Sequence, residues 1–131
     1  MGWSVMVVLD TSSLVFWTLD PGRLSETAEQ AIEKADRVGV SSISIWEIGI
    51  KVERGKLVLP LSGGEYLENL EQTTRVEILP VDLSTWIRNL QLDWNHRDPV
   101  DRTIVATASL HNCPLVTSDN VLRSFYEKAV W

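Results

Sequence analysis

Four acidic residues stand at predicted strand ends or near predicted helix starts, where side chains from distant parts of a chain can meet. Asp10 directly follows the apolar run VMVVL, and Asp119 directly follows PLVTS. Glu47 and Asp101 lie near the starts of two predicted helices. Carboxylates that share one pocket repel one another, whereas Mg²⁺ or Mn²⁺ would neutralise them and keep waters for substrate phosphates. The pattern therefore indicates magnesium-assisted chemistry on a phosphate ester.

Helix capping is the competing explanation for each of these acids. The run Asp98-Pro99-Val100-Asp101 has the order of an N-cap Asp, a Pro at the first helical position and an acid at the third. The run Ser44-Ile45-Trp46-Glu47 has the S-x-x-E order of a capping box, and Asp10 and Asp119 could each cap the helix that follows.

Capping does not explain which way Asp101 faces. It shares a helical stripe with Ile104, Val105 and Ala108, at offsets of three, four and seven residues. That stripe should face the sheet, so Asp101 should point toward the interior edge of the protein. A carboxylate gains little there unless something positive meets it.

The elements that would position the acids alternate between strands and helices. The predicted strands are 5–9, 38–42, 76–79, 114–118 and a last one near 127–130, and the predicted helices are 25–37, 44–55, 62–73, 83–91, one opened by Asp98 and a short one near 120–125. This alternation is typical of an α/β fold with a mostly parallel sheet and helices on both faces. Ligands of such sheets bind beyond the carboxyl ends of the strands, where the four acids are expected.

The composition indicates one soluble, cytoplasmic domain over residues 1–131. With 44% hydrophobic residues, no apolar run long enough to cross a membrane and no cationic leader, the chain has the features of a globular protein. The single cysteine, Cys113, excludes an internal disulfide and a cysteine-based zinc site. His96 and His111 form no ligand pair, and we interpret both as ordinary surface or core histidines.

Tryptophan is frequent for a chain of this length. We expect most of these side chains in or near the core, and one or two on the surface would indicate a partner interface. They are Trp3, Trp17, Trp46, Trp86, Trp94 and Trp131.

Four stretches, in order and spacing, resemble the PIN-domain ribonucleases, and most of all the VapC-type toxins of bacterial toxin–antitoxin pairs. These stretches are VVLDTSSLVFW, SSISIWEIGIKVERGKL, HRDPVDRTIVATASL and LVTSD. The likeness runs from about residue 5 to residue 130. It implies a three-layer α/β/α sandwich, an acidic Mg²⁺- or Mn²⁺-dependent site that cuts RNA, a homodimer and a cognate antitoxin that covers the active-site groove.

The resemblance also assigns roles to individual positions. Asp10, Glu47, Asp101 and Asp119 match the four acids of the family, with Asp10 and Asp101 expected as direct metal ligands. Asp98 matches an additional acid of one branch, and Thr11 and Thr117 match hydroxyl positions near the metal. Val100 stands where Phe is common in the family, a departure that leaves the acids unchanged.

RNA binding has to be reconciled with a net charge of −6 and a pI near 4.8, which are unusual for a nucleic-acid binder. A local basic rim would resolve the conflict. Its candidates are Lys51 and Arg54, four and seven residues after Glu47 on one helical stripe, together with Lys56, Arg97 and Arg102. A plain Glu47–Lys51 ion pair on the helix surface is the alternative explanation for part of this set.

Two other functions compete with the nuclease. Receiver domains and haloacid-dehalogenase-like phosphatases also place an Asp after the first strand, but the phosphatase needs an acid at Ser12 and the receiver needs a Lys where TSD stands. Neither explains Glu47 and Asp101. A catalytically idle domain that only binds a partner protein is the second alternative, against which the complete set of acids argues.

Overall fold

The computed structural model describes residues 5–131 and has a five-stranded sheet at its centre. The strands are β1 (Met6–Leu9), β2 (Arg37–Ser41), β3 (Val76–Leu79), β4 (Leu115–Val116) and β5 (Ala129–Val130). They lie in the order β3-β2-β1-β4-β5, and every neighbouring pair is parallel. The topology therefore switches between β1 and β4, whose carboxyl ends flank the point where such sheets bind ligands. The predicted parallel sheet is confirmed, although β4 and β5 are shorter than expected.

Seven α-helices connect or follow these strands within the described residues. They are α1 (Thr11–Leu19), α2 (Glu26–Lys34), α3 (Ser42–Glu53), α4 (Gly63–Gln72), α5 (Leu83–Gln91), α6 (Pro99–Leu110) and α7 (Asn120–Phe125), and a 3₁₀ turn spans Pro21–Arg23. Each predicted helix is present. Over residues 5–131, none of the helices has the length and apolar content that crossing a membrane would require.

Each helix begins at a side chain that accepts a hydrogen bond from a first-turn amide, as capping chemistry predicts. The N-cap residues are Asp10, Ser25, Ser41, Ser62, Asp82, Asp98 and Asp119. The prediction that Ser44 opens α3 as a capping box with Glu47 is wrong. Strand β2 runs directly into α3, so Ser41 provides the cap and Glu47 lies in the second turn.

The core has two apolar clusters, one on each face of the sheet. Val7 and Leu9 of β1 lie in a cluster with residues of α1, α2, α3 and α4, whereas Met6 and Val8 lie in a cluster with residues of α6 and α7. Successive strand residues point to opposite faces, so both faces of β1 are buried. This arrangement confirms the three-layer sandwich, and its strand order differs from the 2-1-3-4-5 order of receiver domains.

Helix α5 turns its apolar stripe away from the core. Leu83 is 73% exposed and Leu90 is 83% exposed, and Trp86 and Ile87 between them are also exposed. The opposite face is polar and buried, with Asn89 Nδ2 donating to Thr103 Oγ1 of α6 at 3.0 Å. The helix therefore packs on α6 through polar side chains and presents its apolar side to solvent.

The tryptophans divide as expected between core and surface. Trp17 and Trp131 pack against one apolar cluster and Trp94 packs against the other. Trp46 and Trp86 are exposed, on α3 and α5 respectively. Trp3 lies outside the described residues, as does part of the segment on which the prediction of no leader rests.

Candidate active site

The structure brings the four predicted acids to one pocket at the carboxyl edge of the sheet. Asp10, Glu47, Asp101 and Asp119 line a cavity of about 250 Å³, together with Thr11, Ser12, Lys51, Ile104 and Ser118. Asp10 directly follows β1 and Asp119 lies just beyond β4, so two of the acids flank the switch point of the sheet. Helices α3 and α6 add Glu47 and Asp101 from the sides.

Asp10 is the most enclosed of these acids, with 7% of its surface exposed. Its Oδ1 accepts a hydrogen bond from the Ser13 backbone N–H at 2.9 Å, and its Oδ2 accepts one from Thr117 Oγ1 at 2.6 Å. Burial raises the pKa of Asp10, and the nearby Asp119 carboxylate adds to that rise, while the hydrogen bonds to Thr117 and Ser13 oppose it. The capping function and the pocket position therefore coincide in one side chain.

Thr117 joins the two acids at the switch point. It is fully buried, donates to Asp10 Oδ2, and accepts the Asp119 backbone N–H through Oγ1 at 3.1 Å. Thr11, the other predicted hydroxyl, donates to Ser44 Oγ at 3.0 Å across a buried contact between α1 and α3. Both threonines thus fix the relative positions of elements that carry acids.

Asp101 lies as the helical stripe predicted, partly buried at the edge of the core. Its Oδ2 is 2.8 Å from His96 Nε2, and the two groups form an ion pair when the imidazole is protonated. Burial raises the pKa of Asp101, the His96 hydrogen bond opposes this effect, and the carboxylates of Asp98 and Asp119 raise the pKa further. The sequence interpretation of His96 as an ordinary histidine missed this contact.

Asp98 is the N-cap of α6 and does not line the acidic pocket. Its Oδ1 accepts the backbone N–H groups of Val100 and Asp101 at 2.9 and 3.0 Å. The capping explanation is therefore confirmed for Asp98, and a role as an additional metal ligand stays a prediction.

Of the predicted basic residues, the structure places Lys51 in the pocket with the acids. Among residues 5–131, no ion pair joins Glu47 to Lys51. The structure therefore does not support the explanation of these two residues as a plain intrahelical ion pair. Arg54, Lys56 and Arg97 are exposed.

Arg102 has different partners from those expected of an RNA-binding residue. Its guanidinium donates to backbone carbonyls of Asn89, Leu92, Trp94 and His96 and to Asn89 Oδ1. These acceptors lie at the end of α5 and in the segment before α6. Arg102 therefore holds that segment in place, and its donors are occupied.

The donor chemistry of the pocket fits a hard divalent cation. Its polar lining consists of four carboxylates, three hydroxyl side chains and one ammonium group, with no thiol or imidazole among them. Burial is the main cause of the raised pKa of Asp10 and Asp101, and a cation would also relieve the carboxylate repulsion that adds to it. Within residues 5–131, no three His, Cys, Asp or Glu side chains lie close enough together to form a metal site by themselves. A bound Mg²⁺ would accordingly keep several water ligands, as this ion usually does.

Known proteins resemble the chain over almost its whole length. The family model of the PIN domain matches residues 7–128. The chain is 38% identical over 119 residues to Ribonuclease VapC22 of Mycobacterium tuberculosis, a match that covers 90% of each protein.

Solved structures share the fold at lower sequence identity. The DNA-bound VapBC complex from Salmonella typhimurium gives a TM-score of 0.68 at 19% identity and covers 95% of each chain. A toxin–antitoxin complex from Klebsiella pneumoniae gives a TM-score of 0.67 at 19% identity, covering 95% of this chain and 96% of that one. At these identities the likeness concerns the fold.

Proposed function

Because the chain belongs to the PIN-domain family, we propose that it is a metal-dependent ribonuclease and the toxin of a toxin–antitoxin pair. The observation that carries the proposal is the convergence of Asp10, Glu47, Asp101 and Asp119 on one pocket at the switch point of a parallel sheet. The ribonuclease that is 38% identical to the chain supports the choice of RNA as substrate.

In this proposal, Asp10 and Asp101 would hold Mg²⁺ or Mn²⁺ directly, and Glu47 and Asp119 would act through water or a second ion. When bound, the ion would supply a more acidic water as nucleophile and would polarise the phosphoryl oxygen. Thr117 keeps the Asp10 carboxylate in position through its hydroxyl donor. Lys51 lines the same pocket and would contact the phosphate of the substrate through its ammonium group.

The basic rim for RNA consists of Lys51 and the exposed Arg54, Lys56 and Arg97. A rim of this kind offsets locally the repulsion that a protein of net charge −6 exerts on a polyanion. Changing Lys51 or Arg54 to Ala should weaken RNA binding and reduce its dependence on salt concentration, because fewer counterions are released on binding. An unchanged salt dependence in both variants would remove these residues from the binding surface.

Incubation of the purified protein with a pool of total RNA and MgCl₂ or MnCl₂ tests the activity. We expect cleavage that disappears with EDTA and in the Asp10→Asn variant. Cleavage that persists in Asp10→Asn would remove this pocket as the active site. No cleavage of tRNA or rRNA with either ion would favour a domain that only binds a protein partner.

A cognate antitoxin and a growth-inhibiting effect complete the proposal. The solved structures with this fold include toxin–antitoxin complexes. The antitoxin segment would cover the active-site groove, and an apolar cleft between α3 and α4, lined by Ile48, Val52 and Leu67 among others, would offer it a second contact. Expression of this protein, for which we propose a cytoplasmic location, should arrest bacterial growth with the wild type and not with Asp101→Asn. Equal growth of the two strains would refute the assignment as a toxin.

We propose the apolar stripe of α5 as the surface through which two copies form a homodimer. Leu83, Trp86, Ile87 and Leu90 give one helix a continuous exposed apolar face, a feature typical of interfaces. Leu90→Lys should convert the dimer to a monomer in analytical ultracentrifugation, with little effect on folding because Leu90 is 83% exposed. A wild-type protein that is monomeric at high micromolar concentration would exclude this interface.

A further inference from the structure

His96 contacts a pocket acid without lining the pocket itself. Its Nε2 lies 2.8 Å from Asp101 Oδ2, whereas the acidic cavity is lined by other residues. When Asp101 is ionised, its oxygens can only accept hydrogen bonds, and Nε2 is then the donor in this contact. One oxygen of Asp101 is thereby fixed by an N–H donor, and Oδ1 accepts no hydrogen bond from the described residues.

The imidazole of His96 is held in place by its neighbours. Its ring lies against the Trp94 ring, with 4.8 Å between centroids, and Trp94 stacks on Phe125 of α7 at 4.4 Å. The backbone carbonyls of Trp94 and His96 both accept hydrogen bonds from Arg102. Side-chain packing and backbone contacts therefore define where Nε2 points.

We infer that His96 is a positioning residue of the nuclease site, which orients the Asp101 carboxylate so that its free oxygen faces the metal. This inference rests on the proposed function, because Asp101 is a ligand only if the pocket binds the ion. Hydrogen bonds from outside the coordination sphere commonly fix the orientation of ligating side chains, and removing them lowers metal affinity or activity about 10–100-fold. The His96–Asp101 contact has the geometry for that role.

Two substitutions separate the hydrogen bond from the volume of the ring. His96→Leu removes the donor and keeps an apolar side chain against Trp94. His96→Gln places an amide N–H near the position of Nε2 and can restore the contact with Asp101. His111→Leu is the matched control, because His111 is exposed at the opposite end of α6.

Calorimetric titration with MnCl₂ in the absence of RNA is the first measurement. We expect His96→Leu to bind Mn²⁺ at least about 10-fold more weakly than the wild type, with His96→Gln within about 3-fold and His111→Leu unchanged. Equal Mn²⁺ affinity of His96→Leu and the wild type would overturn the inference. Equal losses in His96→Leu and His96→Gln would also overturn it, because the donor would then not be what matters.

RNA cleavage by the same variants is the second measurement. On a short RNA that the wild type cuts, His96→Leu should lower kcat at a fixed Mn²⁺ concentration and leave KM within about twofold, because only metal placement changes. A change in KM alone would place His96 in RNA binding and refute the positioning role. A wild type that binds Mn²⁺ but cuts no RNA would refute the proposed function instead, whatever the His96 variants do.

Discussion

Arg102 should contribute more to the free energy of unfolding than a charged side chain at the surface usually does. Its guanidinium donates five hydrogen bonds, at 2.6 Å to the Asn89 carbonyl, at 3.0 Å to Asn89 Oδ1, and to the carbonyls of Leu92, Trp94 and His96. These acceptors belong to the end of α5 and to a segment without helix or strand before α6. The Asn89 and Leu92 carbonyls also accept backbone N–H groups, whereas among the described residues the Trp94 and His96 carbonyls have Arg102 as their donor.

The size of the effect follows from the number of bonds that are lost. Hydrogen bonds from a charged donor contribute roughly 1.5–3 kcal/mol each, and the part-exposed carbonyls can regain water when the donor is removed. Arg102→Met keeps the aliphatic stem and loses all five bonds, so we expect a loss of about 3–5 kcal/mol in the free energy of unfolding. Arg102→Lys has a single donor group that can reach part of the set, so its loss should be about 1–3 kcal/mol.

Urea denaturation followed by tryptophan fluorescence measures these losses. Trp94 lies in the affected segment, so its emission should also report a loosened segment in the native baseline. Arg97→Met is the matched control, because Arg97 is exposed in the same segment and should change stability by less than about 0.5 kcal/mol. A loss below about 1 kcal/mol for Arg102→Met, or equal losses in the two Met variants, would refute the reasoning.

Three further predictions concern buried polar groups. Asp10→Asn should abolish cleavage yet raise the free energy of unfolding at pH 7. Burial raises the pKa of Asp10 in the folded protein above 3.8, so the wild type loses stability as the pH rises from 3.8 through that raised pKa. The stability advantage of Asp10→Asn over the wild type, measured by urea denaturation, should therefore shrink as the pH is lowered toward 4. Thr117→Val should lower the free energy of unfolding by about 1–3 kcal/mol and remove most of the activity, whereas Thr117→Ser should stay close to the wild type. Equal losses of stability in the two variants would contradict the hydrogen-bond argument. Burial raises the pKa of Cys113 to about 11, so iodoacetamide at pH 8 should label the folded thiol at least about a hundredfold more slowly than the unfolded one, and similar rates would be inconsistent with the structure.

The elements of the fold were predictable because each has a local signal. The run VMVVL is apolar at every position, as a strand buried on both faces requires, and β1 occupies Met6–Leu9 of it. Helices α6 and α7 are capped by Asp98 and Asp119, the residues whose carboxylates were expected to cap them. The start of α3 was harder to place, because SSISI offers three serines and the choice depends on where β2 ends.

The contacts of the site were less predictable because they join residues with no regular spacing. His96 and Asp101 are five residues apart across a helix start, a separation that belongs to neither a helix face nor a strand face. Thr117 reaches Asp10 over 107 residues, and the family resemblance identified that hydroxyl where no local pattern could. The reversed orientation of α5 was also hidden, because an amphipathic pattern does not say which side meets the core.

Asp10 and Asp101, the two pocket acids with raised pKa values, share one feature, which explains how the pocket can remain attractive to a cation. Asp10 is held by the Thr117 hydroxyl and Asp101 by the His96 imidazole, donors that can orient a carboxylate without carrying a full positive charge. A guanidinium in either place would bind the carboxylate more strongly but would neutralise it. Arg102 is adjacent to Asp101 in the sequence, yet its donors face the carbonyls of the preceding segment. The fold thus uses the Arg102 guanidinium to shape the loop and does not pair it with the carboxylates of the pocket.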